Sequence, residues 1–207
     1  MAKLIPWLKS SERNKIQTWY LLMQDEFDVV VQEKKTSKLM RLFAFVLGIV
    51  RRIIPNVCSS KEFMEDFTTT VYGTVYVSYD PGSLEDEYAR SEICHMVHEF
   101  THVEQFRREF FMPLKYIFSA YWRMRYEVEA YCRTIEYLIR SKAEVDYVGE
   151  INSDLDSLKS SYGVGDENVR IARKLMQAFL IKIQNGSEPG SKLVQKALEF
   201  WATVNRK

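Results

Sequence analysis

Histidine and cysteine are scarce in this sequence, with three residues of each among 207. Cys58, Cys94 and Cys132 lie far apart and form no CxxC pair, which excludes a complete set of disulfides and a cysteine-rich zinc scaffold. Three cysteines without a disulfide pattern favour a reducing compartment. Charge of one sign is also lacking, because 29 Lys and Arg nearly balance 28 Asp and Glu. A net charge of +1 gives no electrostatic reason to expect nucleic acid as a partner.

Long apolar runs are absent as well. The most apolar run, residues 42–50, is flanked by arginines and is well short of the roughly 20 residues of a membrane-spanning helix. We therefore expect no membrane span and a buried helix at this run, with a membrane-surface or partner-docking helix as the alternative. Residues 1–9 have neither the apolar stretch nor the cleavage site of a signal peptide, which predicts a cytoplasmic protein.

What the chain does have is an apolar fraction of 46%, enough to build a real core. Apolar residues recur at helical spacing in most of the chain. They predict two or three helices in residues 10–54. In the middle of the chain they predict one helix from an N-cap at Ser83 to about Phe111 and another over 114–142, with a break near Ser119. Towards the C-terminus they predict a short helix over 155–161, one over 167–183 and a last one that ends at about residue 204. Residues 67–79 are β-branched and aromatic and predict one bulged strand or a tight pair broken at Gly73, whereas residues 27–31 are ambiguous.

The predicted fold class is therefore α+β and predominantly helical. We expect an N-terminal helical region over residues 1–60 and a second region over residues 61–207, with C-terminal helices, together forming one compact unit.

The sequence His98-Glu99-Phe100-Thr101-His102 is an HExxH motif inside the helix predicted after Ser83. On a helix, His98 and His102 lie about 40° and one turn apart, so both rings can reach one tetrahedral ion. Glu99 falls within about 100° of both, where it can hold and deprotonate a water beside the ion. The alternative is a set of surface side chains that form only local hydrogen bonds.

A catalytic zinc site needs a third protein ligand, and histidine does not supply it. His95 lies about 10 Å of helix rise from His102, too far to join the same coordination shell. The extended motif HExxHxxGxxH is absent, because Gln105 and Arg108 stand where its Gly and third His would be. Cys94, on the same helix, is not expected to join the site. The third ligand is therefore expected to be a carboxylate.

The next predicted helix offers Glu127 and Glu129. These two residues are about 200° apart in helical projection, so only one of them can face the metal. Ala130 lies on the face of Glu127 and allows two helices to pack closely. We expect Glu127 to be the ligand, with Glu129 as the alternative.

His98-Glu99-x-x-His102, followed by Glu127-x-x-Ala130, resembles the gluzincin branch of zinc metallopeptidases. The wider strings His98 to Gln105 and Glu127 to Tyr131 also resemble small metallopeptidases, some of them encoded by tailed bacteriophages. The resemblance implies zinc bound by His98, His102 and Glu127, with Glu99 as the general base that acts on a metal-activated water. It covers about residues 67–140, and Tyr131 stands where the family often has an acidic residue.

For the fold, the resemblance implies a zincin-like core in which a small antiparallel sheet or an edge strand packs on the HExxH helix. The strand over residues 74–78 would then bind extended peptide by strand addition. The expected substrate is a peptide or protein. The alternative is a catalytically silent structural protein with a structural zinc, such as a phage particle component, that docks a protein partner through its N-terminal helices. A phage-encoded chain would act in the host cytoplasm or the virion.

Overall fold

The computed structural model describes residues 15–53, 59–81, 83–85 and 88–204. The chain divides into two compact units, residues 1–89 and 90–207, whereas the sequence predicts a boundary near residue 60. Residues 1–9 and Cys58, on which the sequence makes predictions, lie outside the described residues. In the described ranges helices predominate, and none of them has the length and hydropathy needed to cross a bilayer.

The first unit combines three α-helices with three short strands among its described residues. In chain order these are α1 (Lys15–Phe27), β1 (Val30–Glu33), α2 (Lys38–Ile53), α3 (Ser60–Glu65), β2 (Thr69–Val71) and β3 (Thr74–Val77). A 3-10 turn, Lys34–Thr36, links β1 to α2. The ambiguous stretch 27–31 contains the end of α1 and the start of β1. Ser59 begins α3 with a capping box, in which its side chain and that of Glu62 bind each other's backbone N–H groups.

The sheet is mixed and has the order β1-β3-β2, so the predicted antiparallel sheet is wrong. The predicted tight pair is confirmed: β2 and β3 are antiparallel and join at Tyr72-Gly73, where Tyr72 has a φ of 50°. β3 is the central strand, because it also pairs in parallel with β1 over residues 30–33. Strand addition needs unpaired N–H and C=O groups at a sheet edge. Peptide binding of this kind at residues 74–77 is therefore excluded.

Helix α2 contains the most apolar run of the sequence, and the prediction of a buried helix is wrong for most of it. Met40 and Ala44 are buried, and the carbonyl of Ala44 accepts a hydrogen bond from the Ser60 hydroxyl at 2.5 Å. Leu42 and Phe45, by contrast, are exposed. Met40 and Ala44 therefore attach α2 to its unit, whereas most of its large apolar side chains face outward.

The second unit is helical throughout its described residues. It consists of α4 (Ala89–Arg108), α5 (Met112–Phe118), α6 (Ala120–Arg140), α7 (Tyr147–Ser160), α8 (Asp166–Gln184) and α9 (Lys192–Val204). The prediction that Ser83 caps the HExxH helix is wrong: its hydroxyl donates to the Asp80 carbonyl at 2.8 Å, and α4 begins six residues later. α4 also ends at Arg108, three residues before the predicted end.

The predicted break at Ser119 is confirmed, since this residue separates α5 from α6 and its side chain accepts from the Trp122 N–H. α6 is central to the unit, and its buried face packs with α7 and α8 around Met124, Val128, Ile135, Leu155 and Met176. This packing fixes the rotation of α6 about its axis and thereby decides which of its carboxylates faces α4.

Candidate metal centre

Helix α4 presents His98 and His102 one turn apart on the same face. Their Nε2 atoms lie 3.2 Å from each other, and their rings meet edge to face with centroids 4.9 Å apart. The side chains of His98 and His102 are only 12% and 10% exposed. Two imidazole nitrogens therefore point at one shielded position, as the HExxH spacing predicts.

Helix α6 brings the carboxylate of Glu127 to the same position. Its Oε2 atom lies 3.3 Å from Nε2 of His98, and its Oε1 atom lies 3.6 Å from Nε2 of His102. Glu127 is 1% exposed and ionised, because the two neighbouring histidines outweigh the effect of burial and hold its pKa far below the usual value. Among the described residues, His98, His102 and Glu127 form a group able to hold a metal ion.

The separations of these donor atoms fit a zinc ion. A tetrahedral site with metal–ligand distances of about 2.0–2.1 Å has edges of about 3.3–3.4 Å. The histidine nitrogens are 3.2 Å apart and Oε2 of Glu127 is 3.3 Å from Nε2 of His98, both close to that value, while the other oxygen of Glu127, Oε1, is the one 3.6 Å from Nε2 of His102. Oε2 of Glu127 is also buried without a hydrogen-bond partner, an arrangement that is costly unless a cation lies nearby. Two imidazoles and one carboxylate are a donor set that zinc takes in catalytic sites.

Gln105 contacts the ring nitrogen of His102 that does not face the site. Its Oε1 atom lies 2.9 Å from Nδ1 of His102, and its amide nitrogen donates to the carbonyl of Tyr126 at 2.9 Å and to Glu129 at 3.1 Å. Because a flipped amide would direct its oxygen at two acceptor oxygens, the amide nitrogen faces α6 and the amide oxygen faces the imidazole. Nδ1 of His102 therefore carries a proton, which leaves the Nε2 lone pair for a metal once Nε2 is deprotonated.

Glu129, the alternative ligand, has a different position. Both of its oxygens pair with the Arg108 guanidinium, at 2.9 and 2.7 Å, and one of them also accepts from Gln105. The charges and hydrogen bonds of these partners lower the pKa of Glu129 despite partial burial. The structure thus places Glu127 beside the histidines and Glu129 in the network behind His102. Gln105 and Arg108, the departures from the extended zincin motif, are both members of that network.

Tyr116 on α5 anchors the other side of Glu127. Its hydroxyl donates to Oε1 of Glu127 at 2.5 Å. Burial raises the pKa of Tyr116 well above its usual value, so the hydroxyl stays protonated. Arg123 fixes the end of α5, because its guanidinium donates to the carbonyls of Tyr116, Ile117 and Tyr162 at 3.0, 3.0 and 2.5 Å. The sequence contains twelve tyrosines and gave no means of choosing Tyr116 among them.

Glu99 is buried beside the two histidines but is not one of the three converging donors. Burial disfavours its charge, yet the nearby His95 and the charges of His98 and His102 lower its pKa to about 2. Glu99 is therefore an ionised carboxylate at neutral pH. It can accept a proton from a water at the centre.

His95, the third histidine, lies outside the donor group. Its Nε2 atom is 3.7 Å from Glu99 and its Nδ1 atom is 3.8 Å from Glu92. Burial opposes its charge, but these two carboxylates raise its pKa to about 10. His95 is thus a cationic partner that orients Glu99. On the opposite side of the site, the ring of Tyr131 packs on that of His98 with centroids 4.8 Å apart.

Asp154 on α7 is a titratable group that the sequence analysis missed. Burial, followed by the charges of Glu150 and Glu127, raises its pKa to about 7. The sequence pattern could have indicated it: Asp154 lies three residues after Ile151 and directly before Leu155, which places it on the apolar face of its helix. An aspartate on such a face is a candidate functional group.

Comparison with family models, curated proteins and solved structures finds no match to this chain.

Proposed function

We propose that this chain is a zinc-dependent peptidase of the gluzincin type, in which His98, His102 and Glu127 hold the ion. The observation that supports this most strongly is the convergence of two imidazole nitrogens, 3.2 Å apart, on the buried Glu127 carboxylate, whose Oε2 atom lacks any hydrogen-bond partner. Gln105 and Tyr116 fix the orientation of two of the ligands, as supporting groups do in metal sites.

Zinc bound there supplies a Lewis acid that activates water and polarises a peptide carbonyl. Glu99 is the general base: its ionised carboxylate accepts the proton of the attacking water and passes it to the leaving amine. His95, within 3.7 Å, holds the Glu99 carboxylate in place and stabilises its charge. Each proton transfer therefore uses a group that the fold already orients.

The test is hydrolysis of a diverse peptide library by the purified chain loaded with zinc. We expect the parent protein to cleave peptides and a chelator to abolish this cleavage. We expect Glu99→Gln to retain zinc but to cleave nothing. Glu104→Gln, on the same helix but outside the donor group, is the matched control and should cleave as the parent does. Cleavage by Glu99→Gln at the parent rate would overturn the assignment of the general base.

A second candidate is a structural or particle protein in which the same residues hold a structural zinc. The low exposure of His98, His102 and Glu127 favours it, because an ion that only stabilises the fold needs no access for substrate. Full zinc occupancy with no cleavage of any library peptide would support this candidate, and removal of the metal should then lower the stability of the fold.

A further inference from the structure

Helix α2 carries a continuous apolar stripe that faces solvent. Five residues at helical spacing form the stripe: Leu39, Leu42, Phe43, Val46 and Ile49, with exposed fractions of 39, 55, 38, 46 and 45%. At about 100° per residue they lie within a sector of about 120°. An amphipathic helix normally buries such a stripe, so its exposure marks an interaction surface.

The rest of α2 explains why the stripe faces outward. Met40 and Ala44, on the opposite side, are buried and attach the helix to its own unit. Between the buried side and the stripe lie three exposed cations, Lys38, Arg41 and Arg52. A fourth cation, Arg51, points another way and pairs with Glu62 at 3.1 Å.

The charge of α2 is of one sign, since its sequence holds four Lys and Arg and no Asp or Glu. The charge of α2 therefore favours a negative surface as its partner. A second copy of the chain is disfavoured, because two such helices would bring their cations together. Apolar Leu, Phe, Val and Ile flanked by Lys and Arg are instead typical of helices that lie in the interface of an anionic bilayer.

We propose that α2 binds the surface of a membrane containing anionic phospholipid. The apolar stripe enters the boundary between headgroups and acyl chains, and Lys38, Arg41 and Arg52 contact the phosphates. The helix lies on the membrane and does not cross it, which agrees with the lack of a spanning helix among the described residues. The proposal does not depend on the metal centre or on peptidase activity.

The experiment is sedimentation of the full chain with vesicles of phosphatidylcholine alone and of phosphatidylcholine mixed with phosphatidylglycerol. We expect binding to the anionic vesicles only, weakening as salt is raised. Leu42→Gln/Val46→Gln should lower the partition coefficient at least tenfold. Lys38→Gln/Arg41→Gln should lower it roughly 25-fold, since each cation near an anionic surface contributes about fivefold.

Matched variants on α8 control for generic effects. Ile181→Gln removes an exposed apolar residue, and Arg170→Gln/Lys174→Gln removes two exposed cations one turn apart; both should bind as the parent does. Absence of parent binding at low salt, or equal binding by parent and Leu42→Gln/Val46→Gln, would overturn the proposal. A dimer in sedimentation equilibrium that this double variant abolishes, without vesicle binding, would assign the stripe to a second copy instead.

Discussion

The Nδ1 atom of His102 lies 2.9 Å from the side-chain oxygen of Gln105, three residues further along the same helix. The amide nitrogen of Gln105 is held by α6, through the carbonyl of Tyr126 and the carboxylate of Glu129. One glutamine therefore connects the orientation of a candidate metal ligand to the packing of α4 against α6. Gln105 is fully buried, so water cannot replace its hydrogen bonds.

Replacing Gln105 with Leu should weaken zinc binding about 10–100-fold, because Nδ1 of His102 loses its acceptor and the ring loses its fixed tautomer. Competition with a chromophoric chelator measures the affinity, and ¹⁵N NMR of the imidazole reports the tautomer in the metal-free protein. Gln177→Leu, on the exposed face of α8, is the control. Parent affinity together with an unchanged His102 tautomer in Gln105→Leu would show that the hydrogen bond has no positioning role.

Replacing Tyr116 with Phe should lower the free energy of unfolding of the metal-free protein by about 1.5–3 kcal/mol, the range for a hydrogen bond to a charged group. The cause is that Oε1 of Glu127 loses its tyrosine donor while the carboxylate stays buried. Urea denaturation measures the change, and Tyr121→Phe, at an exposed position of α6, serves as the control. Equal stability of Tyr116→Phe and the parent would contradict this.

Asp154 should make stability depend on pH. Its pKa in the folded protein is about 7, above the usual value of 3.8, so its contribution to stability is fully present below pH about 4 and is lost as pH rises through 7. Asp154→Asn removes this loss. The variant should therefore match the parent near pH 4 and be more stable by about 1–3 kcal/mol at pH 8, a value reduced for partial solvent screening.

Urea denaturation of the metal-free proteins at both pH values tests this prediction. Asp156→Asn is the matched control, because Asp156 lies on the exposed face of the same helix. A difference between Asp154→Asn and the parent that stays constant from pH 4 to pH 8 would show that Asp154 ionises normally in the folded protein.

The local part of the metal centre could be predicted from the sequence. His98 and His102 are four residues apart on one helix, so periodicity alone places their rings together. Helical projection predicts that only one of Glu127 and Glu129 faces the metal, the small Ala130 favours Glu127, and the structure places Glu127 beside the histidines. The network of Gln105, Arg108 and Glu129 could not be predicted, because it depends on how α4 and α6 align across more than twenty residues.

In the first unit, neither the strand order of the sheet nor the exposure of α2 could be predicted from the sequence. The position of β3 at the centre of the sheet follows from its parallel pairing with β1, in which Val30 faces Thr74 across more than forty residues. No local pattern encodes that pairing. The exposure of α2 was missed for a related reason: hydropathy gives the apolar content of a helix, but not which of its faces the rest of the unit covers.

Zinc stoichiometry of purified variants tests the central claim most directly. After dialysis, the parent chain should retain one zinc ion, His98→Ala and Glu127→Ala should retain none, and Glu129→Ala should retain one with weaker affinity, because it only loosens the support of Gln105. Circular dichroism confirms that each variant is folded. Retention of zinc at the parent affinity by a folded Glu127→Ala would contradict the proposed ligand set of His98, His102 and Glu127.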